Sequence, residues 1–335
     1  FILCYTLFNI GCFAYFIKVN TRVTISTFYV DCRLTYCITL LFFIACLSVV
    51  FLLSHSSFKR STTSFRETFL WVFIAFPWFA ASTISVLVMS PSFDDLKPLW
   101  LLNLTHWHHA EVFDTGSWHS VPLAVAAVLS LWLVVRALRA MTKHINSLAL
   151  FDQWRDEGQQ DDVATAFPAT AFTYGLLTPR VFISQGLKEQ LTEVEQQVVA
   201  RHEQRHVNRR DPLKKFLFSC FAAAYPQWIG SQLKAEFSLS LEQSADAWAA
   251  QTGGDRALVA KTLLKVYRLT RDKPPGAYCA FSGSDLTDRV HYLMTPASNR
   301  PFHFALAILL FSALFALSLL GVDSYHHSFE QLFRH

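Results

Sequence analysis

The sequence is poor in charged residues: Asp, Glu, Lys and Arg together make up 16% of its 335 residues, whereas 52% are hydrophobic. Ordinary soluble domains carry about 25% charged residues. The mean hydropathy of the chain is positive, at +0.28. This composition excludes a typical soluble globular protein and predicts a membrane protein.

Other absences restrict the function. The formal net charge is only +4, and the basic residues gather near predicted membrane boundaries, which argues against a nucleic-acid partner. The seven cysteines include no Cys-x-x-Cys pair, so we interpret them as small, mostly reduced hydrophobic residues. There is no internal repeat or low-complexity tract. The first methionine is Met89, and we therefore expect Phe1 not to be the natural start of the protein.

Long stretches without charge predict membrane-spanning helices, because about 20 mainly apolar residues are needed to cross the hydrocarbon core of a bilayer. Four stretches have this character: Tyr36–Leu53, Phe69–Met89, Val121–Val135 with a helical continuation to Met141, and Phe302–Val322. Phe1–Ile17 is also long enough to be a span.

The basic residues predict the orientation of these spans, since Lys and Arg near span ends favour the cytoplasmic side. Basic residues follow the first and third spans: Lys59, Arg60, Arg66, Arg136, Arg139 and Lys143. The intervening loop, residues 91–120, is acidic. We therefore expect residues 142–301 to be cytoplasmic and residues 323–335 to form a short external tail. Successive loops should alternate between the two sides of the membrane. If Phe1–Ile17 is a span, this alternation places residues 18–34 outside, although the segment is basic.

The motif His202-Glu203-Gln204-Arg205-His206 predicts a metal centre. Residues four apart lie on the same face of an α-helix, so His202 and His206 can bind one Zn²⁺. Glu203 is placed to take a proton from the attacking water. Thr192 and Glu195 form a capping-box pattern at the start of this helix. A chance match is the alternative for the motif alone, and a third ligand would argue against it.

A second predicted helix, Ser238–Ala250, is followed by Gly253 and Gly254. Glu242 and Asp246 are four residues apart and so share one face of this helix. As a third ligand, Glu242 would leave one zinc position open, as in catalytic sites. Asp246 could hold a ligand histidine by its other ring nitrogen. Alone, the two carboxylates would indicate a solvated helix face, but the preceding motif favours the metal interpretation.

Three further segments complete the prediction for residues 142–301. Asp211 and Pro212 indicate a helix start, with Asp211 as the capping residue. Phe216–Tyr225 is too short to span a membrane and is interpreted as a core or interfacial helix. The β-branched and aromatic runs Val163–Phe167 and Arg180–Ser184 are predicted strands.

Residues 171–250 resemble the membrane-embedded gluzincin metallopeptidases typified by the BlaR/MecR-type β-lactam sensor-transducers. The resemblance is carried by residues 171–187, 202–213 and 242–247. It implies one Zn²⁺ per chain bound by His202, His206 and Glu242, with Glu203 as catalytic base and Asp246 as the partner of a ligand histidine. It also implies that a strand beside the active helix holds the substrate backbone by strand addition. The candidate residues are Arg180, Val181, Phe182, Ile183 and Ser184, for which a purely structural strand is the alternative.

The resemblance does not extend to antibiotic sensing. Only residues 323–335 follow the last predicted span, and no Ser-x-x-Lys motif occurs among them. We therefore expect no C-terminal penicillin-binding sensor domain. The predicted fold class is a mainly α membrane protein: an N-terminal membrane region (1–141), an inserted cytoplasmic α+β gluzincin domain (142–301), a C-terminal span (302–322) and the tail.

Two functions remain open at this point. The first is a zinc endopeptidase that hydrolyses a protein or peptide substrate, such as a repressor or a membrane protein, at the cytoplasmic face of a bacterial cytoplasmic membrane. The second is a non-catalytic membrane receptor or scaffold that keeps the peptidase fold. Such a relative is expected to lose the base or a ligand, and here all are present. The lipid bilayer is an expected partner, nucleic acid is not, and a homodimer is left open.

Overall fold

The structure is a computed structural model that describes residues 36–37, 39–52, 61–89, 169–253, 255–271, 283–295 and 309–317, with scattered positions between 124 and 142. The described residues are mainly helical. The chain divides into two compact units. The first unit covers Phe1–Ser54, Val72–Ala137 and Arg300–His335, and the second covers His55–Trp71 and Leu138–Asn299. Residues 61–71 therefore belong with the predicted metallopeptidase segment, although the predicted boundary at 141 assigned them to the membrane region.

The first unit is built from apolar helices that pack through aromatic rings. Its described parts include α1 (Thr39–Leu52), the portion of α2 (Thr63–Met89) from Val72 onward, and the helical residues 309–317. The ring of Phe76 lies 5.2 Å from that of Phe43 and 4.7 Å from that of Phe311, measured between centroids. Edge-to-face and tilted contacts of this kind stabilise aromatic cores.

Among the described residues, one stretch, Thr63–Ser85 of α2, is long and apolar enough to cross a membrane. It overlaps the predicted span Phe69–Met89 but begins earlier. The described residues of the other three predicted spans are helical, and α1 is a shorter apolar helix. The candidate span Phe1–Ile17 lies outside the described residues. A bundle of several membrane spans therefore stays a prediction.

Arg66 was predicted to lie in the loop after the first span, and this placement in a loop is wrong; the cytoplasmic side stays a prediction. The residue lies in the first turns of α2 and is only 1% exposed. Its guanidinium is 3.0 Å from the carboxylate of Glu236. A buried charge requires a partner of opposite sign, and here the partner is 170 residues away in sequence, where charge counting along the chain cannot find it.

The second unit is organised around two long helices, α4 (Glu193–Arg209) and α6 (Gln227–Gln251), which pack against each other. Three more helices pack on them: α5 (Asp211–Ala222), α7 (Arg256–Arg271) and α8 (Gly283–Met294). Apolar side chains of α4, α6, α7 and α8 form a shared core that includes Val198, Ala249, Val259 and Leu293.

The predicted helix Ser238–Ala250 is the C-terminal half of α6, which begins much earlier, after Pro226. Gly230 lies in the first part of α6, where a glycine is unfavourable because of its low helix propensity. Its function is steric, because a Cβ there would approach the backbone oxygen of Ala222 to 2.7 Å. Glycine therefore permits the close approach of α6 to the end of α5.

An antiparallel hairpin lies against α4. Its strands are β1 (Ala171–Tyr174) and β2 (Arg180–Ile183), with Ala171 opposite Ile183 and Tyr174 opposite Arg180. The predicted strand Arg180–Ser184 is confirmed except for Ser184, whose side chain caps the short helix α3 (Gln185–Lys188). The predicted strand Val163–Phe167 lies outside the described residues.

The capping box predicted at the start of α4 is confirmed. Thr192 Oγ1 accepts a hydrogen bond from the Glu195 amide at 3.3 Å, and Glu195 Oε2 accepts one from the Thr192 amide at 2.9 Å. Lys265 of α7 donates to the same Glu195 oxygen at 2.6 Å. The first turn of the helix that carries the metal motif is therefore fixed by both local and long-range bonds.

Replacing Thr192 with Ala should lower the free energy of unfolding by about 1 kcal/mol, because the Glu195 amide loses its acceptor. Thr192→Ser keeps the hydroxyl and serves as the matched control, with stability close to that of the wild type. Denaturant unfolding of the protein in detergent measures both. Equal stability of the Ala and Ser variants would contradict the role of this cap.

Candidate metal centre

His202, His206 and Glu242 come together in the second unit, as predicted. One ligand atom from each residue lies within 4.8 Å of the others, and the described ranges contain no second group of this kind. The Nε2 atoms of the two histidines are 3.2 Å apart. Oε2 of Glu242 is 3.3 Å from Nε2 of His202 and 3.7 Å from Nε2 of His206.

These distances fit a zinc ion. Ligands at about 2.0–2.1 Å from a tetrahedral ion are separated from one another by roughly 3.3 Å. The three observed separations, 3.2, 3.3 and 3.7 Å, lie at or slightly above that value. Two imidazole nitrogens and one carboxylate oxygen are also a donor set that zinc accepts in catalytic sites. The residues present therefore fit Zn²⁺ by both chemistry and spacing.

Each histidine has a carboxylate at its other ring nitrogen. Nδ1 of His206 is hydrogen-bonded to Asp211 Oδ2 at 2.8 Å. Nδ1 of His202 is 2.8 Å from Asp246 Oδ1, within bonding distance but not aligned as a hydrogen bond. Carboxylates in this position orient the ring and leave Nε2 as the ligand atom. The placement of Asp246 agrees with the role predicted for it.

Asp211 was predicted to cap the next helix, and this prediction is wrong. It is the first residue of α5, and no side-chain capping bond forms there. Arg210 has a left-handed backbone conformation with φ of 52°, and it is the only residue between α4 and α5. The helical path is broken at that residue, and the Asp211 carboxylate lies against His206. An Asp-Pro pair normally indicates a helix start, and the sequence offers no signal for this second role.

Arg289 of α8 binds Asp246 through two parallel hydrogen bonds, both 2.7 Å long. Its third nitrogen, Nη1, is 3.5 Å from Glu242 Oε2. Both partners of the Arg289–Asp246 pair are fully buried. Burial raises the pKa of Asp246, but Arg289 and His202 outweigh it and hold the pKa below its usual range. Asp246 is therefore ionised, as required to orient His202. Sequence analysis missed Arg289, because no local pattern links it to the motif.

The two oxygens of Glu242 have different partners. Oε1 accepts a hydrogen bond from Lys215 of α5 at 3.1 Å, while Oε2 faces the histidines. Burial raises the pKa of Glu242, but Lys215 and the histidines hold it well below its usual range. The carboxylate is thus ionised and presents a single oxygen to the metal position. Lys215, like Arg289, was not predicted.

Glu203 is buried beside the ligands and is held by the hairpin. The Thr173 hydroxyl on β1 lies 2.7 Å from Glu203 Oε2 and 3.1 Å from the backbone oxygen of the same residue. The strand that contacts Glu203 is therefore β1, whereas the candidate substrate strand Arg180–Ser184 forms β2 and its continuation. Strand addition at Arg180–Ser184 stays a prediction. Thr173 was not identified from the sequence as a site residue.

Comparison of the chain with protein-family models, curated proteins and solved structures gave no match. Function is therefore inferred from the geometry of the chain itself.

Zinc binding to the metal-free protein should release at least one proton at pH 7. Burial lowers the pKa of His202, but Asp246 and Glu242 outweigh it and raise the pKa to about 10. His202 is therefore protonated below pH 10, and a proton must leave before Nε2 can bind metal. The affinity for Zn²⁺ should accordingly rise about tenfold per pH unit for each released proton. Calorimetry in buffers of different ionisation enthalpy measures this release.

The double variant His202→Ala/His206→Ala is the control for that titration. It should bind no zinc at the centre and release no proton. Stoichiometric zinc binding to the wild type without proton release at pH 7 would show that His202 is neutral, contrary to the expected charge state.

Proposed function

We propose that the protein is a membrane-bound zinc metalloendopeptidase of the gluzincin type, the family that residues 171–250 resemble. The observation that carries the proposal is the convergence of His202, His206 and Glu242 at the spacing of a tetrahedral ion. Glu203 is adjacent in sequence to the first ligand. Three protein ligands, one of them a carboxylate, are typical of catalytic zinc sites rather than structural ones.

His202 and His206 would hold the ion through Nε2, and Glu242 would hold it through Oε2. When bound, Zn²⁺ supplies Lewis acidity that activates water at neutral pH and polarises a peptide carbonyl. Lys215 and Arg289 keep Glu242 ionised, and the two aspartates orient the histidines. The residues around the ligands thus maintain a donor set that is charged and fixed in orientation.

Glu203 would act as general base, taking the proton of the attacking water and passing it to the leaving amine. Thr173 donates its hydroxyl hydrogen to Glu203 Oε2. The other oxygen of Glu203, Oε1, would accept the proton. A base held in one orientation beside the reacting groups lowers the entropic barrier of the step.

A non-catalytic receptor or scaffold is the alternative function. Metal binding alone would not require a buried carboxylate at position 203. Glu203 is 8% exposed. Burying a carboxylate is unfavourable, and here the hydrogen bond from Thr173 offsets part of that cost. The presence of such a carboxylate favours the enzyme.

We further propose that the chain is a multi-pass protein of a bacterial cytoplasmic membrane, with residues 142–301 forming a cytoplasmic α+β domain between spans. The apolar stretch Thr63–Ser85 and the helical residues within the other predicted spans support this arrangement. The substrate would then be a protein or peptide reached at the cytoplasmic membrane face.

Glu203→Gln should abolish peptide cleavage and leave zinc bound. Glutamine has no basic oxygen, and a general base contributes about 10²–10⁴-fold to such rates. Mass spectrometry of new protein N-termini, in cells that express the wild type or the variant, identifies cleaved substrates. Turnover of a substrate found in this way is then measured with purified protein in detergent, together with its zinc content.

Glu193→Gln is the matched control, because it makes the same change at an exposed position in the first turn of the same helix. It should keep wild-type turnover. Near-normal turnover by zinc-loaded Glu203→Gln would overturn the mechanism. Identical N-termini in cells expressing the wild type and the Glu203→Gln variant would favour the scaffold.

The proposed topology predicts that a reporter fused after Gln159 is active only in the cytoplasm. A matched fusion after Asp95, in the acidic loop, should be active only outside. Both fusion points lie outside the described residues. Each is tested in whole cells with two reporters, one active only in the cytoplasm and one active only outside. The opposite pattern would place the metal centre on the external face.

A further inference from the structure

Two adjacent charged residues near the start of α2 are buried in the second unit. Arg66 is 1% exposed and Glu67 is 7% exposed. Neither belongs to the ligand group. Removing opposite charges from water costs several kcal/mol for each ion unless partners compensate. The partners that compensate these two charges therefore identify the helices that the start of α2 contacts.

The two residues contact different helices. Arg66 donates to Gln243 at 2.6 Å and to Glu236 at 3.0 Å, and both of these lie on α6. Glu67 pairs with Arg209 of α4, where one of the contacts is 3.1 Å long. The helix α4 carries the two histidine ligands, and α6 carries the carboxylate ligand. The first turns of α2 thus bind both helices whose spacing sets the metal centre.

On α6, the contact is immediately next to a ligand. Gln243 follows Glu242 directly, and its Nε2 donates to the backbone oxygen of Asp288 at 3.0 Å. Asp288 precedes Arg289, which binds Asp246. Arg66 therefore holds a side chain that also connects α6 to α8, on which Arg289 lies.

On α4, Arg209 connects Glu67 to side chains next to the ligands. Its Nη1 donates to Ser244 Oγ of α6 at 2.7 Å. Its Nε is 3.8 Å from Asp211 Oδ1, and the other oxygen of Asp211 is bonded to His206. Glu67, Arg209, Asp211 and His206 thus form a row of paired side chains that ends at a ligand.

We propose that Arg66 and Glu67 are positioning residues of the metal centre, which hold α4 and α6 at the separation required by the three ligand atoms. Metal–ligand distances in working sites fall within about 0.2 Å of their ideal values, so a small shift of either helix displaces Glu242 from the ion. The inference rests on the metal centre of the proposed function but not on peptide hydrolysis.

The test uses the full chain in detergent, loaded with Co²⁺ in place of zinc. Co²⁺ is bound by the same kinds of ligand, and its visible absorption depends on coordination geometry. Arg66→Met and Glu67→Gln should weaken metal binding about 10–100-fold, the range typical of residues that support ligands. Competition with a chromophoric chelator measures this loss. The visible spectrum of the bound Co²⁺ should also differ from that of the wild type.

Lys265→Met is the control variant, because it removes an ion pair to Glu195 at the opposite end of α4. It should lower the Tm but leave the Co²⁺ affinity and spectrum unchanged, which separates positioning from stability. Arg66→Lys and Glu67→Asp keep the charges and should recover part of the affinity lost in Arg66→Met and Glu67→Gln.

Wild-type affinity and spectrum in Arg66→Met and Glu67→Gln would overturn the inference while leaving the metal centre intact. A wild type that binds neither Co²⁺ nor Zn²⁺ would instead overturn the proposed function. If the two variants do not fold, Ser244→Ala tests the inference instead, because it removes only the hydroxyl that accepts a hydrogen bond from Arg209. A several-fold loss of Co²⁺ affinity with a changed spectrum is then expected, and no change would overturn the inference.

Discussion

The second unit depends on the approach of one carboxylate on α6 to two imidazoles on α4. Three polar side chains this close together and mostly shielded from water require charged partners. Each histidine contacts one aspartate and Glu242 contacts two cationic side chains; these partners are Asp211, Asp246, Lys215 and Arg289. Each of these partners carries a charge opposite to that of the group it contacts, with the histidines in their protonated form. The helices around the site are consequently fixed by charge pairing as well as by apolar contact.

Apolar packing supports this charged cluster along the length of α6. The residues from Glu242 to Asp246 lie between Phe237 and Ala249, both of which are buried. Phe237 stacks on Phe218 of α5 at 4.1 Å between centroids, and Trp71 meets both rings edge-on. Ala249 belongs to the core shared with α4, α7 and α8. Apolar surroundings reduce screening, which strengthens properly paired charges and makes an unpaired one more destabilising.

The parts of the site that sequence could predict are those governed by local periodicity. The spacing of His202 and His206 and the capping box at Thr192 follow from helix geometry, and the structure has both. Glu242 and Asp246 needed the helical spacing together with the family resemblance. Contacts between distant elements could not be predicted in this way. Thr173, Lys215 and Arg289 carry no local signal, and Asp211 was misinterpreted because its neighbour Arg210 has a left-handed backbone conformation that breaks the helix. Arg66 was misplaced because a charge at the edge of an apolar run is usually exposed.

The hydrogen bond between the two Nε2 atoms, 3.2 Å long, has a consequence for the stability of the metal-free protein. Only one of the two nitrogens can donate in it, so a single hydrogen occupies part of the space that a metal would fill. A zinc finger has no such substitute and unfolds when its ion is removed. Here the carboxylates around the histidines keep a positive charge between them whether it is carried by a proton or by a metal. If the centre binds zinc as proposed, the ion is therefore not needed to offset the charges of its own ligands, and the metal-free second unit is expected to stay folded.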